Sequence, residues 1–334
     1  MHDSERITLA HGNGGRRTRE LIDEIFAARL GGPDLDTEVD AARLRLPGED
    51  WAVTVDGFTV EPIEFPGGDI GALAVHGTVN DLSVSGAEPV HLSLSAFLEE
   101  GLGFDVLTRL VDSFARAAQE AGVTVVAGDT KVVPRGHGGG AYFTTTGFGR
   151  VVRGDLSAKS VKPGDVILVS GPVGDHGIAV MLARESFDLK GDVRSDCASV
   201  LPLCRAVWDL PGLRFLRDPT RGGIATVAHE LSRAARATLR LREAEIPVRD
   251  PVRGVCEMLG YDPYYLACEG RVVAVVAADD AEGLLRTWKN TAGGDGARII
   301  GRVADGPARV VLETSIGGSR ILDELEDDPL PRIC

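Results

Sequence analysis

Four short stretches place carboxylates where a chain changes direction: TVDGF at Asp56, VNDLS at Asn80 and Asp81, AGDTKV at Asp129, and RDPTRGG at Asp218. Asp beside Gly, Pro or Thr is also ordinary turn and capping chemistry, so each stretch alone has a plain structural use. Taken together they can do more. Hard divalent cations take carboxylate oxygens, and Mg²⁺ is typically held by a few carboxylates with phosphates and waters, so the set is suited to a Mg²⁺-triphosphate site. The glycine-rich HGNGG, comprising Gly12, Asn13, Gly14 and Gly15 after His11, can supply backbone N–H groups that wrap phosphates, or can be a simple amino-terminal arm. No G-x-x-x-x-G-K-[ST] occurs, so such a site is not a P-loop.

Three further residues carry reactive groups. Lys131 follows Asp129 by two, which on an extended segment sets both side chains on one face, either to meet a phosphate or to form a salt bridge. Glu269, in LACEGR, lies between an apolar stretch and the strand beginning at Arg271, where partial burial would raise its carboxyl toward a useful base. Cys334 stands apart at the end of EDDPLPRIC. The other four cysteines, Cys197, Cys204, Cys256 and Cys268, sit in apolar or mixed segments as small half-buried residues. With five cysteines and no C-x-x-C pair, neither a disulfide framework nor a zinc knuckle is indicated.

The elements that must position these groups alternate between short β-branched runs and amphipathic helical stretches, an α/β pattern. WAVTV (51–55) is a strand, a helix follows from about Asp69, and DVLTRLVDSFARAAQEAG (105–122) is a helix with Asp105 as its cap and Gly122 at the left-handed end position. A second series begins with VILVSG (166–171), continues with helices after PVGDHG and DPTRGG, and ends with the strands ARIIGRV and ARVVLET. A polar cluster at 157–164 marks the junction. The chain divides into an arm with a first helix (1–38), an amino-terminal domain (39–155), a carboxy-terminal domain (156–322) and a tail (323–334).

Composition sets the remaining limits. A length of 334 residues suits two cores, and a net charge of −14 argues against a broad nucleic-acid-binding face. The longest apolar run, VVAVVAA (272–278), is far too short to span a bilayer, and the start MHDSERITLAHGNGG has no signal-peptide pattern. The expectation is a cytoplasmic protein without membrane or nucleic-acid partners.

HGNGG, TVDGF, VNDLSVSGA, GDTKVV, SGPVGDHG, DPTRGG and PRIC, in this order over nearly the whole chain, resemble the hydrogenase-maturation carbamoyl dehydratase family HypE. That family belongs to an ATP-using superfamily with aminoimidazole ribonucleotide synthetase, selenophosphate synthetase and thiamine phosphate kinase. The resemblance implies a mixed α/β (α+β) fold of two aminoimidazole ribonucleotide synthetase-like domains, with amino-terminal strands closing a barrel across a homodimer. It further implies ATP near that interface, Asp56, Asp81, Asp129 and Asp218 at Mg²⁺ and phosphate, and Gly12, Asn13, Gly14, Gly15 and Asn80 completing the nucleotide site. Asn13 stands where a serine is expected as often, so the loop keeps a backbone role without a hydroxyl.

The implied chemistry explains the tail. Cys334 receives a carbamoyl group from a carbamoyltransferase partner, ATP activates the amide oxygen, and loss of phosphate leaves a thiocyanate. Its cyanide passes to the iron of a [NiFe] hydrogenase precursor through an iron-carrying chaperone–scaffold complex. In this scheme Glu269 removes amide protons and Lys131 orients the carboxamide. The twelve residues from Asp323 to Cys334 span at most ~40 Å when extended, and Pro329 and Pro331 favour extended geometry. The DELEDD run is either a solvated hinge or a docking strip. Rival readings are another ATP-dependent synthetase or kinase of the superfamily acting on a free small molecule, and a scaffold whose last cysteine is lipidated or disulfide-linked. A selenophosphate-synthetase-like chain would carry a reactive cysteine before Val39, and there is none.

Overall fold

The structure is a computed structural model that describes residues 15–21, 23, 42–46, 48–184 and 192–325. A short helix α1 (Arg16–Leu21) precedes β1 (Ala42–Leu46) and β2 (Glu49–Phe58), followed by a small hairpin of β3 (Glu64–Phe65) and β4 (Gly68–Asp69). Helix α2 (Ile70–Val84) leads to β5 (Ala87–Glu99), α3 (Phe104–Ala121), β6 (Thr124–Val133) and β7 (Ala141–Val151). The first sheet has the order β1-β2-β7-β5-β6. β5 and β6 run parallel, with α3 as the crossover a parallel pair needs, and the other ladders are antiparallel.

The second half comprises β8 (Val166–Val169), α4 (Asp175–Arg184), α5 (Leu201–Arg205), β9 (Leu213–Arg217), α6 (Gly223–Ala235), β10 (Thr238–Arg242), α7 (Asp250–Leu259), β11 (Val273–Val276), α8 (Ala281–Lys289), β12 (Arg298–Ala304), β13 (Arg309–Glu313) and β14 (Ser319–Ile321). Its sheet runs β14-β13-β10-β12-β8-β11-β9. The mixed α/β expectation holds for both halves.

Local signals explain the helix ends. Asp69 caps α2, its Oδ1 accepting from Gly71 N at 2.8 Å and Ala72 N at 3.0 Å. Gly122 ends α3 with φ 72°, the left-handed conformation a glycine adopts without strain. The expected start of α3 is corrected: the helix begins at Phe104 after Gly103, and Asp105 sits inside the first turn, paired with Arg109 at 3.1 Å. An acidic side chain there favours the helix dipole without filling the cap.

Helix α2 does not follow the usual amphipathic rule. Its apolar residues point all around, and Leu73, Ala74, Val75, Val79 and Leu82 are all buried. One apolar core runs through it, from Phe58 and Leu110 in the first half to Leu168 and Trp288 in the second. Polar ties cross the same boundary: Trp208 Nε1 donates to Ser83 O at 3.2 Å, and Arg153 Nη1 donates to Trp208 O at 2.7 Å. No described helix is long and apolar enough to cross a membrane.

Candidate functional site

A cavity of about 620 Å³ opens between the two halves. Strand β2 contributes Thr54 to Phe58, α2 contributes Gly77 and Asp81, the segment after β9 contributes Asp218, Thr220 and Arg221, and Glu269 closes the wall. The two carboxy-terminal contributions arrive together because Cys268 N donates to Pro219 O at 3.0 Å, joining the loops of Asp218 and Glu269. Four of the predicted residues, Asp56, Asp81, Asp218 and Glu269, therefore share one chamber.

Their electrostatics are those of a crowded acidic site. Burial raises the Asp56 carboxyl, opposed by Arg221 and by Gly57 N, which donates to Oδ1 at 2.8 Å. Asp218 is 5% exposed, and burial, with Asp56 and Glu230 adding repulsion and Arg217 opposing, pushes it up to about 6. Glu269 is 4% exposed and is raised well above the usual carboxyl range, first by burial and then by Asp218, Asp196 and Asp56. Asp81 is anchored by Thr54, whose Oγ1 donates to its Oδ2 at 2.8 Å. Carboxylates in such a chamber need protons or a cation. Among the described residues no group of three or more His, Cys, Asp or Glu side chains is arranged to hold a metal by itself. The acidic wall fits instead an ion completed by phosphate oxygens and water, the usual Mg²⁺ arrangement.

Other predicted residues lie elsewhere. Asp129 and Lys131 are exposed on β6, an edge strand, and do not line the cavity. They pair with each other at 3.2 Å, and this contact together with Thr130 N holds the Asp129 carboxyl low. Asn80 is buried away from the cavity, its amide occupied by backbone groups of the second half: Nδ2 donates to Ala198 O at 3.1 Å and to Glu269 O at 3.3 Å, while Oδ1 accepts from Val200 N at 2.8 Å. Gly15 is buried beside α1, whereas Gly12, Asn13, Gly14 and Cys334 lie outside the described residues.

The cationic side of the cavity was missed in the sequence. Arg16, Arg19, Arg217, Arg221 and Arg233 all line it. Arg221 lay in plain view in DPTRGG, where a guanidinium next to an anion-binding turn is the signal to read. At the mouth, Arg19 and Arg233 both pair with Glu324, Arg16 N donates to Leu325 O at 3.2 Å, and Tyr265 OH donates to Asp323 O at 2.6 Å. The first residues of the tail are thus fastened beside the acidic chamber.

The expected loop placement of the carboxylates is corrected: Asp56 lies within β2, Asp81 within α2 and Asp129 within β6, and only Asp218 and Glu269 of the cavity carboxylates lie in loops. A two-domain fold with carboxylates and arginines around an inter-domain chamber defines an AIR synthase-related protein. The family models agree: the N-terminal domain model of AIR synthase related proteins matches residues 38–151 and the C-terminal domain model matches 162–313. Carbamoyl dehydratase HypE of Azotobacter vinelandii is 46% identical over 331 residues, covering 98% of this chain and 97% of that protein. A crystal structure of the hydrogenase maturation protein HypE in complex with ATP is 43% identical, with a TM-score of 0.82, covering 98% of this chain and 100% of the other. The HypE–HypF complex gives a TM-score of 0.86 at 43% identity, over 91% and 99% of the two chains. The chain belongs to the carbamoyl dehydratase HypE family.

Proposed function

We propose that this protein is an ATP-dependent carbamoyl dehydratase of hydrogenase maturation, with ATP as co-substrate and Cys334 as the carrier of the reacting group. The observation that carries this reading is the convergence of Asp56, Asp81, Asp218 and Glu269 on one chamber, in a chain 43% identical to a HypE solved with ATP.

Asp56, Asp81 and Asp218 would hold Mg²⁺, which when bound neutralises phosphate charge. Arg217 and Arg221 face the same space and add fixed positive charge where anionic oxygens would lie. The thiocarbamate oxygen on Cys334 attacks the γ-phosphorus of ATP, an O–P bond forming as the bond to ADP breaks. Glu269 takes an N–H proton as the imidate forms. The C–O bond then breaks, phosphate leaves with its electron pair, the second N–H proton departs, and S–C≡N remains on Cys334. Glu269 is suited to the proton transfers because burial and neighbouring carboxylates raise its basicity.

Asp129 and Lys131 enter through a second copy of the chain. Edge strand β6 exposes Val125, Val126 and Val132. Closing this edge in a homodimer barrel covers those valines and brings Asp129 and Lys131 to the nucleotide, where Lys131 orients the carboxamide. The glycines of HGNGG fold over the phosphates. A carbamoyltransferase loads Cys334, and the precedent of a HypE–HypF complex supports docking of a maturation partner. An iron-carrying chaperone–scaffold complex takes the cyanide.

Intact-protein mass spectrometry tests the whole reading. Incubation with a carbamoyltransferase and carbamoyl phosphate should add one carbamoyl group to the peptide holding Cys334, and Mg-ATP should then remove one water. An adduct that keeps its water with Mg-ATP would overturn the dehydratase reading. Failure to form an adduct, with a transferase proven on another acceptor, would favour a free small-molecule substrate.

A further inference from the structure

Glu269 has no helix or strand to fix it, since it lies in the turn that leads to β11. Its backbone is nevertheless held on both sides. On the donor side, Glu269 N donates to Asp196 Oδ1 at 3.1 Å and Gly270 N donates to Asp196 Oδ2 at 3.3 Å. The Asp196 side chain is wholly buried and its charge is balanced by Arg271 Nε at 3.3 Å, which also donates to Pro172 O at 2.9 Å. On the acceptor side, Glu269 O receives Asn80 Nδ2 at 3.3 Å and Ala198 N at 3.4 Å.

The fit leaves no slack. A Cβ built on Gly270 would stand 1.9 Å from Asp196 O, so only glycine lets the two backbones approach this closely. Asn80 makes three bonds at once, and all of them reach the second half of the chain. The next residue in α2 is Asp81, which lines the cavity. Residues one apart on a helix do not share a face, so the Asn80–Asp81 step holds the base from behind and faces the phosphate site in front.

We propose that Asn80 and Asp196 are positioning residues for Glu269, clamping its peptide so that its carboxylate stands at a fixed place relative to Asp81. This rests on the reading of Glu269 as the base for amide protons. Misplacing a reacting group by about 1 Å can cost on the order of 100-fold in rate, which a clamp on the base prevents. The clamp acts only through Glu269 and makes no contact with the reacting atoms.

The test is a double-mutant cycle on the carbamoylated full-length protein, read as single-turnover water loss after Mg-ATP. Asp196→Asn keeps the volume but replaces one acceptor with a donor, and should slow dehydration roughly 10- to 100-fold. Asn80→Ser removes the donor from the other side and should act in the same direction, which keeps the test open if the buried Asp196 variant fails to fold. ATP affinity, measured by calorimetry, should stay within about threefold for both. In a Glu269→Gln background the same substitutions should add nothing further, because groups acting as one unit are not additive. Costs that multiply in that background, or a wild-type rate in both single variants, would overturn the clamp. A Glu269→Gln protein that dehydrates normally would overturn both the base and the clamp while leaving the dehydratase reading intact. Wild-type protein that loses no water would remove that reading itself.

Discussion

Thr54 and Asp81 meet across the boundary between β2 and α2, the threonine hydroxyl donating to the aspartate Oδ2 at 2.8 Å. Asp56 lies two residues along the same strand and lines the same cavity. The bond therefore spaces two candidate metal carboxylates through one hydroxyl. Thr54→Val keeps the shape and removes the donor. It should cost about 1.5 kcal/mol of stability, at the lower end for bonds to charged groups, and weaken Mg-ATP binding. Asp81→Asn should weaken that binding by tenfold or more while the protein stays folded. Titration calorimetry with and without Mg²⁺ checks both, and unchanged affinity in the Asp81 variant would exclude it from the site.

Asp218 gives a pH dependence whose sign is fixed. Its carboxyl is raised to about 6 in the folded protein, against an ordinary value of about 3.9. Between those values the folded state binds a proton that the unfolded chain has released, so stability falls as pH rises through the window. The cost is fully present above about 6 and amounts to at most roughly 3 kcal/mol. Asp218→Asn should therefore raise the melting temperature of the nucleotide-free protein at pH 7.5 by a few degrees, with the gain vanishing near pH 4. The same variant should lose Mg-dependent ATP affinity. A melting curve that responds equally at both pH values would refute the assignment.

Glu324 sits between Arg19 and Arg233, both of which line the cavity. Glu324→Gln should have two opposite effects. Nucleotide should bind more tightly, because two guanidiniums lose a competing anion, while water loss from carbamoylated Cys334 slows as the tail root is released. A synthetic carbamoylated tail peptide supplied in trans should react at the same rate with either protein. Equal slowing in cis and in trans would mean that Glu324 shapes the chamber and does not anchor the tail.

The β6 edge predicts an oligomer. Val126→Asp places a charge among Val125, Val126 and Val132, all exposed in the single chain. Sedimentation equilibrium should find a dimer for the native protein and a monomer for the variant, with dehydration reduced at least tenfold if Lys131 works across the interface. A native protein that sediments as a monomer would remove the partner copy from the mechanism.

The carboxylates were visible in the sequence by residue type, and Asp56, Asp81, Asp218 and Glu269 line one cavity, although Asp56 lies in β2 and Asp81 in α2 and not in loops. Which loops meet was not legible. That depends on bonds such as Cys268 N to Pro219 O, between residues far apart in the chain. Asn80 and Asp81 were grouped as one motif, although adjacent helical positions diverge by about 100°. The helical spacing read over 105–122 and its glycine end agree with the helix Phe104–Ala121, whereas the cap at Asp105 does not, because a carboxylate one residue inside a helix looks the same in sequence as one at its threshold. The cationic side as a whole was not legible because Arg16 and Arg19 lie about two hundred residues from Arg217, Arg221 and Arg233 in the chain and meet only in the fold.

Helix α2 is buried on nearly every side by both halves of the chain, and this has a consequence for how the molecule comes apart. Two family models divide the protein, yet one core joins Leu73 of the first unit to Trp288 of the second, so parting the units would open that shared interior even though the second keeps a further core of its own around Ile224 and Leu239. Cooperativity follows from such sharing. Heat or denaturant should produce one transition, the amides of α2 should be among the last to exchange with deuterium, and either half expressed alone should expose an apolar scar and aggregate. What divides the protein in ancestry does not divide it in thermodynamics.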